Sequence, residues 1–106
     1  MRVTISHDKG QKEAMRIIDQ SAQDLLSGIP TGPVRITDSK KSWDGNTMNF
    51  SFRAKMGLFS SSVRGTVLVT EKDVTIDVEL PGIVKNLVPE EKIRATLETK
   101  AKGLLA

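Results

Sequence analysis

From Val34 to Leu80 apolar residues fall at every second position, with Gly- or Asp-bearing turns between the runs. Met48, Phe50, Phe52 and Ala54 share one side of a strand, as do Val63, Val67 and Val69, and then Val74, Ile76, Val78 and Leu80. A period of two places each set on one face of a sheet, so the segment predicts an antiparallel meander with one buried face. Ahead of it, Val3 and Ile5 alternate with Arg2, Thr4 and Ser6, which predicts a short opening strand.

Between these segments the period lengthens. Ala14, Ile18, Ala22, Leu25 and Ile29 recur every three or four residues, with Met15, Ile17 and Leu26 widening the stripe, so Gln11 to Ser27 predicts an amphipathic helix. Asp8 is placed as its N-cap and Gly28 as its stop, and Pro30 and Pro33 make residues 29–33 the connection into the meander. The first meander strand opens with Val34 and Ile36 and turns polar from Asp38 to Ser42, the pattern of an edge or a bulge. Trp43-Asp44-Gly45-Asn46 predicts a tight turn, Gly57 to Ser61 a looser one, and Glu71-Lys72-Asp73 a third hairpin. After Leu80-Pro81-Gly82 closes the sheet, Ile83 to Val88 predicts one helical turn and Pro89 opens a last helix. Glu90 and Glu91 at its start and Lys100 and Lys102 at its end suit the helix dipole, while Ile93, Leu97, Ala101 and Leu104 form the stripe that must cover the sheet.

These elements predict a single α+β domain over residues 1–106: strand, helix, four-stranded antiparallel meander and helix, with the curved sheet packed on the C-terminal helix. The order is similar to a reduced helix-grip arrangement of the START and Bet v 1 class, an analogy of fold that warrants no ligand. With so few residues the last helix fills most of the concave face, leaving a small pocket or none.

Composition narrows the class. At 106 residues the chain suits one core, and 38% hydrophobic with 27% charged residues excludes a disordered or fibrous chain. There is no Cys, which removes disulfides and thiolate metal sites. The opening residues show no leader pattern, and no segment approaches the ~20 apolar residues that cross a bilayer, so the expected location is cytoplasmic. The net charge of +3 is compatible with an anionic partner and does not identify one.

The chemical inventory is poor for an enzyme, with one His, no Cys and no Tyr, and no catalytic, cofactor-binding or metal-binding residue is assigned. His7 and Asp8 are strand neighbours that point to opposite faces, so His7 is read as structural. Asp77 and Glu79 share a strand face and are expected to pair across it with Lys or Arg. By parity Arg35, Lys41, Arg53, Lys55 and Arg64 fall on the face opposite the apolar set. No aromatic platform accompanies them, so a specific nucleic-acid partner is not expected. Trp43 is expected to pack over a hairpin edge, and Ile83, Val84, Leu87 and Val88 to pack on the core. Met56, Leu58 and Phe59 around Gly57 are apolar where turns are usually polar. They either fold back over the core or form a contact tip, with Lys55 and Arg64 beside them, and the tip is taken as the candidate contact surface.

Read in order, these residues resemble the small bacterial family of polyhydroxyalkanoic acid system, or granule-region, proteins. The likeness runs from Val3-x-Ile5-x-His7 with Gly10, Ala14 and Ile17, through Trp43 before Gly45, Phe50 and Phe52, to Gly57 and then Gly65 before Val67 and Val69. It continues through Val74 and Ile76 to Leu80-Pro81, and so covers nearly the whole chain, although Leu58 to Ser62 is more serine-rich than the family pattern. The resemblance implies association with the synthesis, storage or use of polyhydroxyalkanoate polyester, and it implies no catalytic residues. The expected role is a non-enzymatic accessory protein whose partner is the polyester granule surface or its coat proteins. The alternative is a soluble carrier holding a small apolar ligand between sheet and helix. Oligomeric state and polymer are not readable from the sequence.

Overall fold

The computed structural model describes residues 1–27 and 33–106, with all side chains there except those of Leu26, Ser27 and Ile83. The chain runs β1 (Arg2–Ser6), α1 (Gln11–Ser27), β2 (Arg35–Asp44), β3 (Thr47–Met56), β4 (Phe59–Val69), β5 (Asp73–Glu79), α2 (Gly82–Leu87) and α3 (Glu90–Leu104). Strands β2 to β5 form the predicted meander, and β1 returns to pair antiparallel with β5, giving the order β1-β5-β4-β3-β2. Side chains support that long-range pairing: Arg2 reaches Asp77 at 3.0 Å, and the Thr4 and Thr75 hydroxyls lie 3.1 Å apart.

One face of the sheet is apolar and covered by helices. Val3, Ile5, Phe50, Phe52, Val67, Val69, Ile76 and Val78 are buried together with Ile18 and Leu25 of α1 and Ile93 and Leu97 of α3. Hydrophobic burial at these alternating positions is the main force holding the layers together. The rings of Phe50 and Phe52 stack with centroids 6.4 Å apart. Helix α3 lies against β1 and α1, and its buried stripe ends at Leu105, four residues past Ala101, while Leu104 is only half-buried.

Helix α1 begins as predicted at Gln11, but Asp8 is not its cap. The Gly10 carbonyl accepts the Ala14 N–H, and the free N–H of Gln11 donates to the Glu71 carboxylate at 3.1 Å, 60 residues further along the chain. The β4–β5 turn thus supplies the anion that a helix start favours. The expected stop at Gly28, the place of Ile29 in the stripe and the connection as far as Gly32 lie outside the described residues.

Both long hairpins turn on two residues, Gly45-Asn46 and Gly57-Leu58. The glycine of each sits at φ near +60° and its successor does not, the combination of a type II′ turn. The looser turn expected from Gly57 to Ser61 is therefore corrected: Ser60, Ser61 and Ser62 already belong to β4, opposite Lys55, Ala54 and Arg53. Trp43 and Asp44 likewise lie in β2. Between Thr37 and Lys40, β2 advances three residues while β3 advances two, a bulge in which Asp38 takes φ +54°. The extra residue inverts the alternation beyond it. Lys40 faces outward and Lys41 faces the helices, so the expected place of Lys41 on the outer face is corrected, and Lys40 takes that place.

Candidate functional site

The β3–β4 hairpin carries the candidate tip. Met56 pairs with Phe59 across it; Met56 is half-buried against the core, whereas Phe59 is 72% exposed and Leu58, at the second turn position, is fully exposed. The turn makes this unavoidable, because Gly57 supplies the positive φ and Leu58 is left with no strand or helix to pack against. Lys55 is exposed one pair back, opposite Ser60 on one side and Arg35 on the other. Arg64 is not at the tip. It pairs with Ser51 and Glu79, five residues from Phe59 along β4, or roughly 17 Å at strand rise. The structure therefore gathers Met56, Leu58, Phe59 and Lys55, adds Arg35, and leaves Arg64 in the middle of the outer face.

That outer face is polar. Arg35, Lys40, Arg53, Lys55 and Arg64 are exposed on it. Asp77 forms its ion pair with Arg2 of β1, as a carboxylate on an antiparallel sheet should, while Glu79 stands opposite Arg64 in register. A shallow groove of about 770 Å³ crosses this face, lined by Lys40, Asn49, Ser51, Arg64, Asp77 and Glu79 among others. On the helix side, the space among Ala22, Leu25, Met48, Phe50, Val67 and Leu97 is only about 20 Å³, room for a single water. A carrier of apolar ligands needs ~300 Å³ or more, so among the described residues the sheet–helix interior has no room for one.

His7 and Trp43 hold elements together. The Nε2–H of His7 donates to the Thr70 carbonyl at 3.1 Å, and its Nδ1 accepts the Lys9 N–H at 3.2 Å. Both ring nitrogens are thus taken by backbone groups, tying the end of β1 to the β4–β5 turn. Trp43 lies on the helix side of edge strand β2 and donates its indole N–H to Asp19 Oδ1 at 2.8 Å. Lys41, turned inward by the bulge, places its ammonium 3.1 Å from the same oxygen and 2.5 Å from the Asp19 carbonyl. The Trp43 hydrogen bond, followed by the Lys41 hydrogen bond and charge, holds the Asp19 carboxyl below its ordinary value of 3.8.

A depressed carboxyl contributes stability that is present above the unfolded-state value and lost as pH falls through the folded one. As pH drops below 3.8, the emission of Trp43, the only Trp, is expected to titrate as its acceptor protonates. Asp19→Asn should abolish that titration. An identical acid transition in the Asn variant would show that another group drives it.

Among the described residues no three His, Asp or Glu side chains group so as to hold a metal ion. Among the described residues no helix is long and apolar enough to cross a membrane. Fold and site define a one-sided α+β sheet domain, with helices filling one face, a polar and cation-rich face opposite, and an apolar tip at one end. The chain belongs to the family described as "Putative polyhydroxyalkanoic acid system protein", whose model matches residues 1–105. Membership associates it with polyhydroxyalkanoate metabolism. No curated protein and no solved structure matches the chain.

Proposed function

We propose that this protein is a non-enzymatic accessory of polyhydroxyalkanoate granules, acting in the bacterial cytoplasm on the granule surface or on the proteins that coat it. The observation that carries the reading is the tip, where adjacent Leu58 and Phe59 project at a two-residue turn and remain exposed, beside an interior with room for no more than one water. Family membership supplies the polyester context. The engagement of both His7 nitrogens with backbone groups favours an accessory over an enzyme, since the only imidazole in the chain is occupied structurally.

Co-sedimentation of purified protein with isolated granules tests the reading. Full burial of a Leu or Phe side chain is worth about 1.5–3 kcal/mol, so half-burying both on contact gives about 2 kcal/mol, or roughly thirtyfold in affinity. The double change Leu58→Ser and Phe59→Ser is expected to weaken granule binding by that factor with little change in melting temperature. Unchanged binding per folded molecule would remove the tip from the contact.

A further inference from the structure

The outward positions of β2 to β4 around the tip hold cations and neutral polar groups but no carboxylate, apart from Asp38 in the bulge. Arg35 stands directly opposite Lys55, Arg53 is diagonal to Arg35, and Lys40 and Arg64 flank Ser51 from the two neighbouring strands. None of these five side chains has an ion pair or hydrogen bond among the described residues, and all are exposed. Like charges directly opposite on an antiparallel pair destabilise it, so the Arg35–Lys55 pair is a fault for the isolated fold. An external anion would relieve it. The nearest acids form no ion pair with them: Asp77 is engaged by Arg2, Asp38 accepts from the Thr37 hydroxyl at 3.4 Å, and Glu79, opposite Arg64 in register, stays outside ion-pair distance.

We propose that the β3–β4 hairpin meets an anionic phospholipid surface end-on, with Leu58 and Phe59 entering the acyl boundary while the cations of the outer face nearest the tip, Arg35, Arg53 and Lys55, meet the phosphates. Two features favour lipid as the occupant. The apolar tip ends the same hairpin that carries Arg53 and Lys55, Phe59 on its helix side and the cations on its outer side one step further back, an order along the hairpin that matches hydrocarbon beneath a layer of phosphates. Nucleic acid would call for exposed aromatic platforms on the charged face, whereas Phe50 and Phe52 are buried on the other side and the exposed Phe59 pairs with Met56 on that same helix side. The inference rests on the reading of the tip as a contact element and adds the chemistry of what it meets.

The full chain is sedimented with sucrose-loaded vesicles of equimolar phosphatidylglycerol and phosphatidylcholine, and separately with phosphatidylcholine alone. Binding is expected to the anionic vesicles only, with release at ~0.5 M salt as screening shortens. Each cation near such a surface contributes roughly fivefold, so Arg53→Gln with Lys55→Gln should weaken binding roughly 25-fold. The melting temperature should hold or rise, because a repulsive pair is removed. Lys9→Gln with Lys12→Gln, exposed cations at the opposite end of the sheet, should leave binding nearly unchanged and controls for net charge. Equal binding to neutral vesicles, equal losses in the two double variants, or salt-sensitive capture of a single-stranded oligonucleotide without vesicle binding would overturn the inference. Binding to lipid-free polyester particles without any preference for anionic vesicles would overturn it while leaving the granule reading standing. Anionic vesicle binding with no sedimentation on granules would support it and remove that reading.

Discussion

Phe52→Ala is expected to lower the stability of the fold by about 3–5 kcal/mol, the range for emptying an aromatic core site. Phe52 is 3% exposed on the apolar face of β3 and stacks on Phe50 within the buried cluster. The space beside its stacking partner Phe50 is already too small for more than one water, so the neighbouring side chains have little slack with which to close the cavity. At about 4 °C per kcal/mol for a domain of this size, the melting temperature should fall by roughly 12–20 °C. A single domain holds only about 5–15 kcal/mol in total, so the variant sits near its limit of folding. Thermal melts followed by circular dichroism check this. An unshifted melt would mean that β3 buries its other face, and with it would go the assignment of Arg53 and Lys55 to the outer face.

That two-faced logic is the part of the structure most legible in the sequence. Alternation along β3, β4 and β5 identified the core residues because a half-buried strand has a strict period of two, and the stripes of Ile18 and Leu25 and of Ile93 and Leu97 named the helix faces that meet them. What escaped were features set by pairing across long distances or by one inserted residue. Glu71 caps α1 from 60 residues away, and nothing local at Gly10 or Asp8 announces it. The bulge after Thr37 shows in the sequence only as a loss of apolar alternation, which does not say where parity flips. Unbroken parity therefore points Lys41 outward and Lys40 inward, although the first grips Asp19 and the second joins the basic face. The register of β3 on β4 similarly decides that Lys55 belongs to the tip and Arg64 does not.

Gly65→Ala should have the other large effect, by crowding rather than by emptying. Gly65 pairs with Phe50 on one side and Val78 on the other, and the ring of Phe50 lies over the position where a Cβ would be. An added methyl would come within 2.8 Å of Phe50 Cε1, closer still to Cζ, and within 2.6 Å of the Asp77 carbonyl oxygen. The ring can swing aside at some loss of packing, but the carbonyl belongs to the backbone of β5, and relieving that contact requires β4 and β5 to separate locally. Overpacking of a filled core costs about 1–3 kcal/mol, and a backbone clash places this site at or beyond the top of that range. The double variant with Phe50→Leu separates the two sources. If the Asp77 carbonyl dominates, the second change restores little of the stability lost in the single variant, after the cost of Phe50→Leu alone is subtracted in a double-mutant cycle. Near-complete recovery would instead assign the whole effect to the ring. A Gly65→Ala protein as stable as the parent would show that the two strands are less closely apposed at Gly65 and Asp77 than described.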